Sequence, residues 1–351
     1  MRLWTPETVD AAQDLASLPD RAAVVMIFPR EGKPYLGRTV RLQRRLLRLL
    51  SLRQVASRIE YRLTASGLEA SLVFYDAARA HFPQDYRHWM KLRMPPYVKI
   101  QLANPFPRSY VTGRLGGSSG LLYGPFRTRA LAEQFESQFL NLFQIRRCQE
   151  NLSPSPDHPG CIYGEMNMCL RPCQQVVGAE EYRSEVNRVV EFLSSGGRSL
   201  VDTLVKARER SSEEMDFEEA ARLHKLVEKV QGVLKLPGDL ACDIDHLCGV
   251  AVTRSVTAGS VELWFVLQGC WLDPVRFSVE ASGRTVSLDQ RLRELVSSLH
   301  PVKLPSRERQ EHLALLARWY YSTTRDGDWL AFPSLEEVPY RKLVRAISRQ
   351  A

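Results

Sequence analysis

Apolar and polar positions along residues 1–93 predict two strands followed by an amphipathic helix. Residues 22–28 form an apolar run between two prolines, which is typical of a buried strand. Residues 30–33 contain a glycine and predict a hairpin turn into a second strand at residues 34–37. A helix is predicted over residues 38–50, because leucines recur there with helical spacing. These leucines are Leu42, Leu46 and Leu49.

The second half of the chain predicts a helical region followed by a mixed region. Apolar residues recur at i, i+4, i+7 and i+11 from Tyr182, and Gly196 and Gly197 end that helix. Two further helices are predicted from about Ser199 and Asp216, and together they make a helical hairpin. A Pro-Gly pair then precedes three strands and two helices. These are predicted at residues 249–253, 261–267, 271–279, 288–299 and 307–320.

The predicted elements describe a multi-domain α+β protein with a small α/β module, a cysteine-rich loop, a helical hairpin and a small C-terminal α/β region. The regions are residues 1–93, 94–147, 148–178, 179–237 and 238–351. The chain has 351 residues and is 44% hydrophobic, which suffices for several small cores. The N-terminus has no leader pattern, and no apolar run of about 18 residues occurs. We therefore expect a cytoplasmic protein with no membrane partner.

Positive charge adds a candidate binding surface to the predicted helix at residues 38–50. The whole chain carries a formal charge of +8, which favours a polyanionic partner such as DNA. Arginines recur at i, i+3, i+4 and i+7 opposite the leucines, without an interleaved acid. A phosphate backbone would relieve their mutual repulsion, whereas the alternative is an ordinary solvated face. The arginines are Arg41, Arg44, Arg45 and Arg48.

Four of the seven cysteines lie between residues 148 and 173, in the spacing C-x12-C-x7-C-x3-C. Paired C-x2-C motifs, typical of structural zinc, are absent, and the long unequal gaps favour a [4Fe–4S] cluster. Zinc and buried small side chains without a metal remain alternatives. The predicted ligands are Cys148, Cys161, Cys169 and Cys173. Three other residues resemble half a metal site but are expected to be packing residues: Cys242, His246 and Cys248.

An ordered series of short motifs resembles the UvrC family of bacterial excision-repair proteins over roughly residues 15–325. The first two motifs, LPDRAAVVMIF and KPYLGRTVRLQRRL, resemble the family's GIY-YIG nuclease domain. PPYVKI, FPRSYVTGR, YGPF and the cysteine loop follow in the family's order. The resemblance implies a nuclease that uses a polarised hydroxyl, an arginine and a carboxylate-bound divalent cation.

Only part of that catalytic set matches this sequence. Tyr35 matches the tyrosine of the second motif, Arg38 the basic residue three positions later and Arg45 the helix arginine facing the scissile phosphate. The first motif's glycine and tyrosine fall on Ala23 and Val25.

The family's glutamate and asparagine are replaced as well. The metal-binding glutamate falls on Phe74 and the asparagine on Tyr86. Because phenylalanine offers no oxygen to Mg²⁺, we expect no bound magnesium and a fold that has lost its hydrolytic chemistry. The alternative is an active site rescued by a nearby carboxylate, Asp76 or Glu69. These two acids are expected to leave their helix in different directions.

The segment MDFEEAARL, residues 215–223, resembles the UVR motif through which UvrC and UvrB associate. The resemblance implies that this hairpin binds a UvrB-like protein, with small alanines permitting close helix approach. The alternative is an ordinary intramolecular hairpin. The predicted contact residues are Phe217, Glu218, Ala220, Ala221 and Leu223.

Together these features predict a UvrC-like protein of nucleotide excision repair that binds DNA and a UvrB-like partner without cutting. An active single-incision GIY-YIG endonuclease and a metal- or redox-sensing DNA-binding protein are the alternatives. The resemblance also implies an RNase H-like nuclease and a helix-hairpin-helix region after residue 325, and the sequence ends before them.

Overall fold

The computed structural model describes residues 2–10, 15–49, 56–116, 120–279 and 286–351. Its helices and antiparallel sheets confirm the predicted multi-domain α+β class. The chain divides into two compact units. The first contains Met1–Arg93, Cys248–Leu304 and Ala314–Ala351, and the second contains Met94–Leu247 and Pro305–Leu313. None of the described helices combines the length and apolarity needed to cross a membrane.

The N-terminal part of the first unit is a four-stranded antiparallel sheet with three helices. In spatial order the strands are Glu7–Asp10, Ala56–Leu63, Ala23–Pro29 and Tyr35–Thr39. The helices are Leu42–Arg48, Gly67–His81 and Tyr86–Met90, with a 3-10 turn at Leu15–Ser17. One face of the central strand contributes Ala23, Val25 and Ile27 to a core that also contains Leu42 and Leu46.

The predicted helix at residues 38–50 begins later than its leucine pattern suggested. Arg38 pairs with Val24 and Thr39 pairs with Ala23 in the antiparallel ladder, so both belong to the strand. Backbone pairing with a neighbouring strand therefore outweighs the local helical pattern at these two positions.

The C-terminal part of the first unit is a five-stranded antiparallel sheet covered by helices. Its strands are Cys248–Arg254, Ser260–Leu267, Cys270–Trp271, Val275–Ser278 and Asp328–Phe332. Its helices are Leu288–Ser297, Tyr340–Gln350 and the later turns of Ser306–Tyr320, with a 3-10 turn at Leu335–Glu337. The strand predicted at residues 271–279 is two short strands, since Trp271 pairs with Val266 before the chain turns to pair again near residue 260.

The second unit combines a small antiparallel sheet with a helical region. In order its strands are Ser109–Thr112, Tyr97–Ile100, Leu121–Gly124 and Cys242–Asp243. Its longer helices are Arg129–Leu140, Ala179–Ser194, Arg198–Glu213 and Phe217–Lys235, and short helical turns lie at Ile162–Glu165 and Pro172–Gln174. The core is rich in aromatic rings, and Tyr123 stacks on Phe135 with centroids 5.0 Å apart.

The three predicted middle regions, residues 94–147, 148–178 and 179–237, lie together in the second unit. Their buried residues form one core, in which Phe135 of the sheet-covering helix and Val186 and Val227 of the helical region take part. The boundary expected near residue 238 falls instead between Leu247 and Cys248. Cys242–Asp243 pairs with Leu121–Gly124, and this pairing keeps the intervening residues in the second unit.

Candidate functional site

The helix Leu42–Arg48 presents arginines to solvent because its leucines anchor it. Leu42 and Leu46 are fully buried, and this fixes the opposite face outward. Arg44, Arg45 and Arg48 are exposed on that face. Within the described part of the chain, none of these three arginines forms an ion pair with a carboxylate.

Arg41 differs from the other three predicted DNA-binding arginines. It is the N-cap residue of the helix, with an extended backbone, and its Nη1 lies 3.6 Å from the carboxylate of Asp20. Asp20 also accepts a hydrogen bond of 3.2 Å from the backbone N–H of Arg44. The sequence pattern did not reveal this acidic partner, which is 21 positions before Arg41.

Tyr35 lies at the start of its strand with 44% of its surface exposed. Its ring covers Gly37, since a Cβ atom on Gly37 would lie 2.9 Å from the tyrosine hydroxyl oxygen. A glycine is therefore required at position 37 for the ring to take this position. No described residue hydrogen-bonds the Tyr35 hydroxyl, and the side chain is exposed enough to contact a ligand.

The guanidinium of Arg38 lies over the ring of Phe74, the residue on which the family's metal-binding glutamate is predicted to fall. The Arg38 guanidinium lies 5.3 Å from the centroid of the Phe74 ring, within cation–π range. Its Nη1 donates a 3.0 Å hydrogen bond to the hydroxyl of Ser71. Partial desolvation, followed by the positive charge of Arg318, lowers the pKa of Arg38. The position expected to hold a metal is thus filled by an aromatic ring beneath a cation.

Both carboxylates considered as substitutes are engaged elsewhere in the first unit. Asp76 Oδ2 accepts hydrogen bonds from the backbone N–H groups of Leu3 and Trp4, at 2.6 and 2.7 Å. Glu69 is 1% exposed, and its Oε2 accepts a 2.8 Å bond from the N–H of Ala65. Burial raises the pKa of Glu69. Among the described residues, no carboxylate is hydrogen-bonded or ion-paired to Tyr35 or Arg45.

The remaining two substituted positions are enclosed. Val25 is 2% exposed in the middle of its strand, between Gly37 and Tyr61 of the neighbouring strands. Tyr86 is 9% exposed and meets the ring of Tyr75 edge-on, with centroids 6.1 Å apart. Both positions contribute to packing.

The cysteine loop, residues 148–173, brings its four predicted ligands to one cavity in the second unit. The cavity is lined by all four cysteines and also by Arg146, Arg147 and Arg171. Cys169 and Cys173 are buried, whereas Cys148 and Cys161 are half-buried. Cationic side chains around a thiol cluster compensate the negative charge that thiolates would bring.

Two hydrogen bonds already point at the sulfur atoms. Arg146 Nη1 and the backbone N–H of Arg171 donate to the Sγ atoms of Cys148 and Cys169, each at 3.4 Å. Burial, reinforced by the other three cysteines, raises the pKa of Cys169 to about 11. This thiol therefore stays protonated unless a bound cation offsets the cost of its charge.

The four cysteines share a cavity without forming a compact group of metal ligands among the described residues. Nowhere in the described ranges do three or more His, Cys, Asp or Glu side chains converge on the position of a single metal ion. Four cysteines are the number and type of donor that an iron–sulfur cluster takes, and the cluster itself stays a prediction. Of the three residues expected to be packing residues, His246 pairs with Asp243 at 3.1 Å, and Cys242 and Cys248 lie on strands.

The tip of the helical hairpin exposes apolar side chains. Phe217 is 69% exposed and Met215, which sequence reasoning did not select, is 77% exposed. Glu218 and Ala221 are also exposed and Ala220 is half-buried. Leu223 is only 6% exposed and packs in the core, so it holds the hairpin together from inside. The polar residues on both sides of Met215 in the sequence could have predicted that this methionine lies at an exposed turn.

Comparison with known proteins agrees with the resemblance to the UvrC family that the sequence motifs indicated. Residues 95–192 match the family model for the UvrC/Cho excinuclease middle domain. The curated relatives are UvrABC system protein C from several bacteria. The protein from Lachnospira eligens is 25% identical over 284 residues, covering 77% of this chain and 46% of the relative. That from Acetivibrio thermocellus is 22% identical over 362 residues, covering 97% and 57%.

A third relative, from Rickettsia bellii, is 27% identical over 243 residues, covering 66% of this chain and 38% of its own length. The chain thus spans about half the length of the curated relatives it matches. No solved structure matches the chain.

Proposed function

We propose that this chain, which is similar to UvrC, acts in nucleotide excision repair by binding DNA and a UvrB-like protein without cutting the DNA. The observation that carries the proposal is the Phe74 ring, which lies under Arg38 where the family's resemblance calls for a metal-binding carboxylate. Mg²⁺ needs oxygen ligands, and a phenyl ring supplies none.

No nearby acid replaces that carboxylate in the proposal. Asp76 holds two backbone N–H groups of the N-terminal segment, and Glu69 is buried against its own helix start. Releasing Asp76 would leave the N–H groups of Leu3 and Trp4 without these bonds, at a cost of ~1–3 kcal/mol for each group that stays buried. Hydrolysis would also require the hydroxyl and amide that Val25 and Tyr86 do not provide.

DNA binding is proposed through the exposed arginines of the helix Leu42–Arg48. Arg44, Arg45 and Arg48 have no acidic partner in the described ranges, so a phosphate backbone is the ligand that matches them. The accessible Tyr35 hydroxyl lies in the same small module and is suited to a further phosphate contact. These uses of tyrosine and arginine need no metal.

The partner surface is proposed at the hairpin tip. Phe217 exposes an aromatic ring, and a partner that covers this ring removes apolar surface from water, which favours binding. Aromatic residues are also enriched among binding hot spots. The adjoining Met215 adds adaptable apolar surface. The resemblance of residues 215–223 to the UVR motif supports a UvrB-like partner for this surface.

The cysteine loop is proposed to hold a [4Fe–4S] cluster through Cys148, Cys161, Cys169 and Cys173. When bound, the cluster would cross-link segments of a loop that has little regular structure of its own. Anaerobically purified protein is expected to contain about four iron atoms per chain and to absorb visible light. Cys169→Ser should lose both signals. Zinc in place of iron in the wild-type protein would refute the cluster.

A nicking assay tests the loss of hydrolysis. The protein is incubated with damaged duplex DNA and a UvrB-like protein, in Mg²⁺ or in Mn²⁺, beside the Arg45→Ala variant. The proposal expects a bound complex and no incision product from either form. A metal-dependent nick that disappears in Arg45→Ala would refute it and establish a single-incision nuclease.

A further inference from the structure

A polar groove in the second unit lies beside the cysteine loop and includes part of the motif FPRSYVTGR. One wall is the edge strand Ser109–Thr112 and the other is the helix Arg129–Leu140. Tyr163 of the cysteine loop and Arg147, the residue just before that loop, also line the groove. The groove has a volume of about 490 Å³, within the ~300–1,000 Å³ of typical ligand sites. Its size and shape are those of a binding site.

The groove is lined by three arginines and two glutamates, so its formal charge is positive. Arg129 is paired with Glu133 at 2.7 Å. Within the described ranges, neither Arg108 nor Arg147 has a carboxylate at ion-pair distance. The Nε of Arg147 is buried with no hydrogen-bond acceptor, although its Nη2 donates to the carbonyl of Leu140 at 2.7 Å. An anionic ligand would match both guanidinium groups.

The remaining acid in the groove weakens this positive character only partly. Burial raises the pKa of Glu136, while the charges of Arg108 and Arg129 act to lower it. The same carboxyl is hydrogen-bonded to Ser109. Arg108 and Arg147, which form no ion pair in the described ranges, outnumber this one carboxyl, and the groove favours phosphate over a cationic ligand.

An aromatic ring accompanies each unpaired arginine. The Arg108 guanidinium lies 5.6 Å from the centroid of Tyr110, and that of Arg147 lies 5.4 Å from the centroid of Tyr163. Tyr163 is 38% exposed and Tyr110 is half-buried, so both rings have accessible surface. Arginines beside accessible aromatic rings are the combination by which proteins hold single strands, with phosphates on the cations and bases stacked on the rings.

We infer that this groove binds single-stranded DNA, with phosphates at Arg108 and Arg147 and bases against Tyr110 and Tyr163. The inference rests on the proposed DNA-binding function and names a second surface for it. A duplex is excluded by the geometry of its bases, because their faces are stacked on one another and cannot reach the tyrosine rings.

Salt-dependent binding to a fluorescent oligodeoxynucleotide tests the groove, with a duplex of the same sequence in parallel. Arg108→Ala is expected to reduce the slope of log affinity against log salt by about 0.7 for the single strand, the value of one lost phosphate contact. Tyr110→Leu should weaken single-strand binding about tenfold, whereas Tyr110→Phe keeps the stacking surface and the affinity. Duplex binding should stay unchanged in all three variants.

Two further variants separate the groove from general DNA binding. Arg127→Ala removes an exposed arginine two positions from Arg129 and outside the groove, and it should change neither binding curve. The triple variant Arg44→Ala, Arg45→Ala, Arg48→Ala should lose duplex binding and keep single-strand binding.

The possible failures are distinguishable. Groove variants that bind single strands like the wild type would overturn the inference, while duplex loss in the triple variant would leave the proposed function standing. Equal losses for both DNA forms in the groove variants would also overturn it. A wild-type protein that binds neither form would refute the proposed function and the inference together.

Discussion

The arginine face of the helix Leu42–Arg48 permits a quantitative test of duplex DNA binding. The perturbation is the triple variant Arg44→Ala, Arg45→Ala, Arg48→Ala, which removes the exposed arginines that have no carboxylate partner in the described ranges. Alanine has a high helix propensity, and Leu42 and Leu46 keep the helix anchored. The fold should therefore survive, with the free energy of unfolding changed by less than ~0.5 kcal/mol.

The expected magnitude follows from counterion release. Each phosphate contact contributes about 0.9 to the slope of log affinity against log salt for B-DNA, so three contacts contribute about 2.7. Between 50 and 200 mM salt, the affinity ratio of wild type to variant should therefore shrink by about 40-fold. Asp20→Ala should strengthen duplex binding and steepen its salt dependence, because it frees Arg41 from its 3.6 Å ion pair.

Fluorescence anisotropy of a labelled duplex across this salt range measures both slopes, and thermal unfolding checks the fold. Arg341→Ala with Arg345→Ala is a matched control, since both arginines are exposed on the helix Tyr340–Gln350. The control should keep the wild-type slope. An unchanged slope in the triple variant would refute the assignment of this face to DNA.

Two other substitutions test the partner surface and a buried acid. Phe217→Ala should weaken binding to a UvrB-like protein by about 30-fold, or ~2 kcal/mol, as measured by calorimetry. Thermal unfolding should stay unchanged because the ring is exposed. Val302→Ala, which truncates another exposed apolar residue, should leave the affinity for the UvrB-like protein unchanged. Glu69→Gln should flatten the pH dependence of stability. The raised pKa of Glu69 means that the folded protein binds more protons than the unfolded chain, so wild-type stability falls as pH rises above the ordinary value of 4.5. Denaturant titrations that show the same decline in Glu69→Gln would contradict this.

Local patterns predicted the parts of the fold that depend on nearby residues. The helices Ala179–Ser194, Arg198–Glu213 and Phe217–Lys235 were expected from apolar periodicity, and their bounds agree closely. The strand Asp328–Phe332 was not expected. It pairs with Cys248–Arg254 across more than 70 residues of chain, and such pairing leaves no short-range signal.

Contacts in the candidate sites were likewise predictable where they are local in sequence and not where they are distant. Cysteine spacing predicted that Cys148 and Cys173 would share a cavity with the two cysteines between them, because they lie on one loop. Asp76 instead accepts hydrogen bonds from the backbone N–H groups of Leu3 and Trp4, which are more than 70 residues away in the sequence. No pattern around residue 76 encodes that contact.

The contact between Phe74 and Arg38 makes a strong prediction about repairing the nuclease site. Phe74→Glu would bring a carboxylate beside the Arg38 guanidinium, which now lies 5.3 Å from the ring centroid, and an ion pair would replace the cation–π contact of ~0.5–1 kcal/mol. The new carboxylate would be paired before it met Mg²⁺, and Val25 and Tyr86 would still lack polar groups. We therefore expect Phe74→Glu to fold and to produce no incision with Mg²⁺ or Mn²⁺ in the nicking assay. Incision restored by this change alone would mean that the rest of the catalytic set is intact and that only the metal ligand was missing.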